Sequence, residues 1–184
     1  MLRTNGFAFA RIAAIAILLL GSTGCGSGDS TDATPSGTGA DITFVDLPAL
    51  VSALEEYRGE AVLLNFWAIW CVPCVAELPE LIETGRDFAE KGGRVVTISY
   101  DLMIPGETRE TALSKLGEFT ASRDMDVPVL VFDAPDYDEI NEHFGIPGPI
   151  PVTLAIDREG KIVDRQEGKA GKERFVEMMQ RALL

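Results

Sequence analysis

The order of apolar segments predicts an α/β fold, a central mixed β-sheet sandwiched by helices. Three observations predict it. From residue 41 onward, strand-length runs alternate with stretches of helical period. Residues 61–68 (AVLLNFWA) and 94–100 (RVVTISY) are apolar almost throughout, as strands covered on both faces are. The chain then closes with a hairpin and a helix, which gives a sheet of mixed sense.

The elements follow in order. Residues 42–45 start a strand, and Leu47, Leu50, Val51 and Leu54 recur at helical spacing in 47–57, which Gly59 ends. The run 61–68 leads to Cys71 and Cys74, then a helix over 74–91 stopped by Gly92 and Gly93. Residues 94–100 form a strand, 107–123 a helix, 129–132 a strand and 137–144 a short helix. Residues 152–156 and 161–167 flank the turn 157–160 (DREG) as a hairpin, and 172–183 is an amphipathic closing helix. No internal repeat is visible.

Composition excludes several classes. With 184 residues, 46% of them hydrophobic and 24% charged, the chain is globular rather than disordered or fibrous. A net charge of −13 argues against a nucleic-acid partner and against a polybasic grip on anionic lipid. Three cysteines are too few for a disulfide-stapled scaffold, and one histidine rules out a His-rich metal site. No metal is expected.

The first forty residues read as something other than the fold. Arg3 and Arg11 precede an unbroken apolar run, residues 12–20 (IAAIAILLL). A spanning helix needs roughly 20 apolar residues, so residues 1–24 read as a signal peptide. The small residues before Cys25 resemble a bacterial lipobox, which implies lipidation of Cys25 as the mature N-terminus. Ser22 stands where that motif usually has Leu, so an ordinary signal peptide or an uncleaved anchor is the alternative. Residues 26–40 (GSGDSTDATPSGTGA) cannot bury a core and read as a flexible tether with an r.m.s. reach of about 20 Å. The organisation expected is therefore signal peptide 1–24, lipidated Cys and tether 25–40, and a domain at 41–184.

The chemistry is concentrated in residues 70–74 (WCVPC). A cysteine at the N-cap of a helix faces free backbone N–H groups and the helix dipole, both of which stabilise a thiolate. Two intervening residues let one helical turn bring the second sulfur within bonding reach. Pro73 suits the first turn, where its missing N–H costs nothing. Cys71 is thus the expected exposed nucleophile and Cys74 the more buried resolving thiol. Three alternatives are weaker. A zinc half-site lacks a second ligand pair, a structural disulfide closing so short a loop constrains the unfolded chain little, and inert core cysteines would not need this context.

Residues 62–79 (VLLNFWAIWCVPCVAELP) resemble the thioredoxin superfamily, and within it the extracytoplasmic TlpA/ResA/CcmG-like thiol–disulfide oxidoreductases. The resemblance extends through residues 144–153 (FGIPGPIPVT) to the 157–160 turn, so it covers nearly all of 41–184. It implies a thioredoxin-like fold and a cis-proline facing the cysteine pair, a place matched by Pro151 with Ile150 before it. Val152 replaces the Thr usual after that proline. It also implies an enzyme whose redox group is the Cys71–Cys74 disulfide, with no bound cofactor, and a client-contact surface at Trp70, Pro73, Ile150 and Pro151.

Thioredoxins of the cytoplasm place a buried Asp six residues before the first cysteine; Asn65 stands there and cannot take up a proton. Glu77, three residues beyond Cys74 and on the same helical face, is the replacement, where the resembling family also has a Glu near its cysteines. A partly buried carboxylate there would have a raised pKa and could take the proton of Cys74. A solvated surface glutamate is the alternative. His143 is assigned no role.

Three functions compete. The first is a membrane-tethered reductase of extracytoplasmic protein disulfides, as in cytochrome c maturation, supplied by a membrane electron donor and without nucleic acid. The second, a peroxidase on the same fold, calls for a Thr or Ser three places before the cysteine, where Ala68 stands. The third is a non-enzymatic copper-binding or assembly factor, for which His143 would be the sole additional donor.

Overall fold

The computed structural model describes residues 40–184, so the expected signal peptide, Cys25 and the tether up to residue 39 lie outside the described residues. The elements are β1 (Ile42–Val45), α1 (Leu47–Glu55), β2 (Ala61–Trp67), α2 (Val72–Phe88), β3 (Gly93–Ser99), α3 (Arg109–Ser122), β4 (Val129–Phe132), α4 (Asp138–Phe144), β5 (Val152–Ile156), β6 (Ile162–Glu167) and α5 (Lys172–Ala182). The sheet order is β1-β4-β3-β2-β5-β6. The first four strands in that order run parallel, and β5 and β6 pair antiparallel. This is the expected mixed sheet.

Every residue of β2 is buried, as its continuous apolar sequence requires of the strand at the centre of a covered sheet. Alternation along β2 divides its side chains between two layers. Phe66 packs into a cluster with Tyr100 and Phe144 on the α4 face. Asn65 and Trp67 point the other way, towards α2 and α3 respectively. The crossovers β2–α2–β3 and β3–α3–β4 step in one direction along the sheet, so right-handed connections place α2 and α3 on the same face. Helix α5 joins them, burying Phe175, Met178, Met179 and Ala182 at spacings of three and four.

Local chemistry sets the boundaries. Helix α2 begins at Val72, two residues before the bound read from its apolar spacing, with Cys71 as its N-cap and Pro73 in its first turn, both as expected. It runs to Phe88 and tightens into a 3₁₀ turn over Ala89–Lys91, ended by Gly92 at φ +82°. Gly93 has no room for a side chain: a Cβ there would lie 2.8 Å from both Met179 Sδ and Phe88 Cβ, where α2 and α5 close on β3. On the outer strand β6, Asp164 is gripped by Arg174 at 2.9 Å and Arg181 at 3.0 Å, which ties α5 to the sheet edge.

Candidate active site

The cysteines lie at the carboxyl end of β2, where the strand turns into α2. Cys71 is the N-cap in extended conformation, and its sulfur accepts the Cys74 N–H at 3.3 Å. The helix therefore directs a donor at this sulfur, the arrangement that favours a thiolate. Cys71 and Cys74 are joined in a disulfide with Cα atoms 5.2 Å apart. Cys71 keeps 6% exposure and Cys74 none. The order of exposure is as expected, but Cys71 is less open than the sequence suggested. Its sulfur lies 3.7 Å from the Ile150 carbonyl oxygen, under the loop that ends in the cis Ile150–Pro151 peptide.

The rim around this sulfur is apolar. Trp70 is 44% and Val72 78% exposed, and Pro73 is exposed beside them. Ile150 is half-buried and Pro151 buried. A shallow groove runs from Trp70 along Met103, Ile104 and Pro105, residues the sequence reading did not single out. Trp67, by contrast, is fully buried in the core.

Below the disulfide, Glu77 is buried at 1% exposure, which removes the solvated alternative. Its Oε1 accepts from Asn65 Nδ2 and its Oε2 from the backbone N–H of Ala170, each at 2.9 Å. Burial pushes the Glu77 pKa up to about 7, against the opposing pull of the Ala170 and Asn65 donors and the charge of Lys169. Asn65 also donates to Thr153 Oγ1 at 2.9 Å, across the β2–β5 register. Asn65 thus bridges Glu77 and Thr153. Thr153 and Ala170 were not legible, since finding them needs the strand register and the packing of the segment before α5.

On the other side of β2, Asp101 is also buried and holds the loop that carries the cysteines. Its carboxylate accepts the Ile69 N–H at 3.1 and 3.3 Å and the Ser99 hydroxyl at 2.7 Å. Burial raises its pKa, and the Ser99 and Ile69 donors oppose that rise. The pattern Ser-x-Asp at the end of a buried strand was the available signal for this brace.

Ala68, fully buried, stands three places before Cys71, so a hydroxyl for peroxide chemistry is missing there. Among the described residues, no three His, Cys, Asp or Glu side chains are grouped to hold a metal, and no helix is long and apolar enough to cross a membrane. His143 is exposed at the end of α4.

A buried disulfide at a helix N-terminus, faced by a cis-proline and backed by a carboxylate of raised pKa, is equipped to exchange with other disulfides. Known proteins agree. The profile described as the AhpC/TSA family matches residues 43–165. The chain is 30% identical over 135 residues to thiol–disulfide oxidoreductase ResA of Bacillus thuringiensis (strain Al Hakam), covering 73% of this chain and 70% of that protein. Among solved structures, the pneumococcal exposed lipoprotein thioredoxin Etrx1 of Streptococcus pneumoniae superposes with a TM-score of 0.54 at 29% identity, covering 69% of this chain and 88% of that one. A putative thiol:disulfide interchange protein DsbE of Chlorobium tepidum gives 0.54 at 26% identity, covering 71% and 85%. With the cysteine pair, the fold and these relatives in agreement, the chain belongs to the AhpC/TSA family and is a thioredoxin-fold thiol–disulfide oxidoreductase of the ResA kind.

Proposed function

We propose that the protein is a membrane-tethered reductase of disulfides in extracytoplasmic proteins, with cysteine-bearing apocytochrome c as the client class and Glu77 as the proton acceptor. The observation that carries this reading is the buried carboxylate one helical turn beyond Cys74, combined with a neutral Val72-Pro73 dipeptide. A strong oxidant needs its reduced form stabilised by a low thiol pKa. Here the dipeptide brings no positive charge, and an anionic Glu77 opposes a thiolate. Electrons are therefore given up readily.

The Cys71 thiolate attacks one sulfur of a client disulfide; that bond breaks, a Cys71–client disulfide forms and the first client sulfur leaves as thiolate. Cys74 then gives its proton to Glu77 and attacks the Cys71 sulfur. The Cys71–Cys74 disulfide forms, and the second client sulfur leaves and takes up a proton. Two electrons have passed from enzyme to client, and a membrane electron donor restores the dithiol. Trp70, Pro73 and Ile150 supply the surface on which the client chain lies, and buried Pro151 backs it through the cis peptide. The tether reading rests on the lipobox-like sequence at Cys25 and is supported by the lipoprotein thioredoxin of Streptococcus pneumoniae.

The test is insulin reduction with dithiothreitol as donor. Cys71→Ser abolishes turnover, and retained activity ends the reading. Glu77→Gln lowers the thiol pKa values, each unit equivalent to about 1.4 kcal/mol, and slows resolution of mixed disulfides at neutral pH. Superimposable thiol titrations and equal turnover remove Glu77 from the mechanism. In bacteria the full-length chain partitions with membranes and Cys25→Ala releases it; a soluble wild type overturns the tether.

A further inference from the structure

We infer that Asn65 is a two-way hydrogen-bond partner, turning its amide end over end so that Glu77 stays bonded in both of its charge states. The inference rests on Glu77 being the proton acceptor proposed above. An ionised carboxylate only accepts hydrogen bonds. The observed arrangement suits that state, since Ala170 N–H donates to Oε2 and Asn65 Nδ2 donates to Oε1. A proton arriving from Cys74 disturbs it. The Ala170 donor is backbone and cannot reverse, so the proton belongs on Oε1, where it meets the Nδ2 hydrogens. Donor would then face donor, and Glu77 would resist the proton it is there to receive.

A half-turn of the Asn65 amide removes the conflict. Oδ1 replaces Nδ2 and accepts from protonated Oε1. The other neighbour permits the same turn, because Asn65 Nδ2 is also 2.9 Å from Thr153 Oγ1, and a hydroxyl both accepts and donates. In one orientation Nδ2 donates to both neighbours; in the other Oδ1 accepts from both. The two ends of an amide have nearly the same size, so a fully buried site needs no repacking.

Asn65 Oδ1 is buried without a hydrogen-bond partner, so no bond at that end locks the amide in place. Either orientation makes two bonds and leaves one end unpaired. A bare amino group is harder to bury than a bare carbonyl, which makes the observed orientation the resting one beside an anion. The groups that face Glu77 are Asn65 from β2 and the Ala170 N–H from the segment before α5. The charges of Lys169 and Glu80 act on it with opposite sign. None of these except Asn65 can exchange donor for acceptor. Asn65 is therefore a positioning residue whose conformation follows the proton.

The test is an NMR titration of the full-length protein between pH 5 and 9, following the Glu77 carboxyl carbon and the Asn65 side-chain amide, in wild type and Asn65→Leu. In wild type both signals move with one midpoint. In Asn65→Leu both charge states of Glu77 lose one bond, so the Glu77 midpoint moves by less than about threefold in proton affinity. A fixed donor would serve the anion alone, and its loss would raise that affinity by about tenfold or more. That result, or a wild-type amide that ignores the Glu77 titration, overturns the inference while leaving Glu77 as acceptor. A Glu77 that does not titrate in this range overturns both. Should Asn65→Leu fail to fold, the wild-type amide titration decides alone.

Discussion

Glu77 and Asp101 are both buried, both raised in pKa by burial, and both bonded on each oxygen, yet they hold different parts of the site. Asp101 receives the Ile69 N–H on both oxygens and the Ser99 hydroxyl on one. The Ser99 hydroxyl can turn from donor to acceptor, but the backbone donor cannot, and its shorter bond, on Oδ1, ties Asp101 to the loop that carries Cys71. Glu77 receives one backbone N–H and one side-chain amide. The amide can reverse. Two similarly buried carboxylates thus differ in what they hold: Asp101 braces the loop before Cys71, while Glu77, the proposed proton carrier, sits between β2 and the segment before α5.

The largest test removes the brace. Asp101→Ala strands the Ile69 N–H and the Ser99 hydroxyl in the interior, at about 1–3 kcal/mol each. A stability loss of about 3 kcal/mol is expected in urea unfolding, with Asp101→Asn losing roughly half. An Ala variant as stable as wild type would show that the loop holds itself.

The second test reads the carrier through linkage. Glu77 has a pKa of about 7 when folded against 4.5 as the unperturbed value, so the folded state binds its proton more tightly. Its contribution is complete below pH 4.5 and fades as pH rises to 7. Between pH 5 and pH 8 the stability of wild type relative to Glu77→Gln should fall by about 2 kcal/mol. A constant difference would mean that Glu77 keeps one charge state throughout.

Smaller effects sharpen the contrast. Ser99→Ala removes one donor from Asp101 and should cost about 1 kcal/mol, with the pH profile of turnover unmoved. A shifted profile would make Asp101 a second proton carrier. Ile104→Ser, on the apolar rim just past Asp101, should raise KM for a protein client by about twofold and leave kcat alone, because it removes exposed apolar area only. A fall in kcat instead would place the rim within the chemistry.

Much of this was legible in the sequence. The apolar runs locate β1, β4 and β5 to the residue, since turn formers bound them on both sides. Helix α2 begins earlier than its periodicity suggests, because a cysteine cap and a first-turn proline mark a start that apolar spacing does not. Cys71, Cys74 and Pro151 were legible because each stands in a local motif. Glu77 was legible by helical spacing together with the resemblance, which has a Glu near its cysteines. Its surroundings were not: Asn65 looked like the loss of an acid, and only the side-by-side register of β2 and β5 shows it between Glu77 and Thr153. Ser99 and Asp101 stand in a visible Ser-x-Asp pattern, but what the pair braces, the Ile69 N–H, leaves no trace in residue identity.

The clamp on Asp164 has a consequence for traffic with unfolded chains. A protein that handles extended polypeptides risks having them add to its sheet as extra strands. β6 is one margin of the sheet, and along it charged Asp164 and Arg165 replace the apolar alternation a visiting strand would match, with Arg174 and Arg181 fastened across. The opposite margin, β1, offers only four residues. Neither side invites zippering. A visiting chain is left with the end of the sheet, where Trp70 and Cys71 wait, so contact is steered towards exchange and away from accretion.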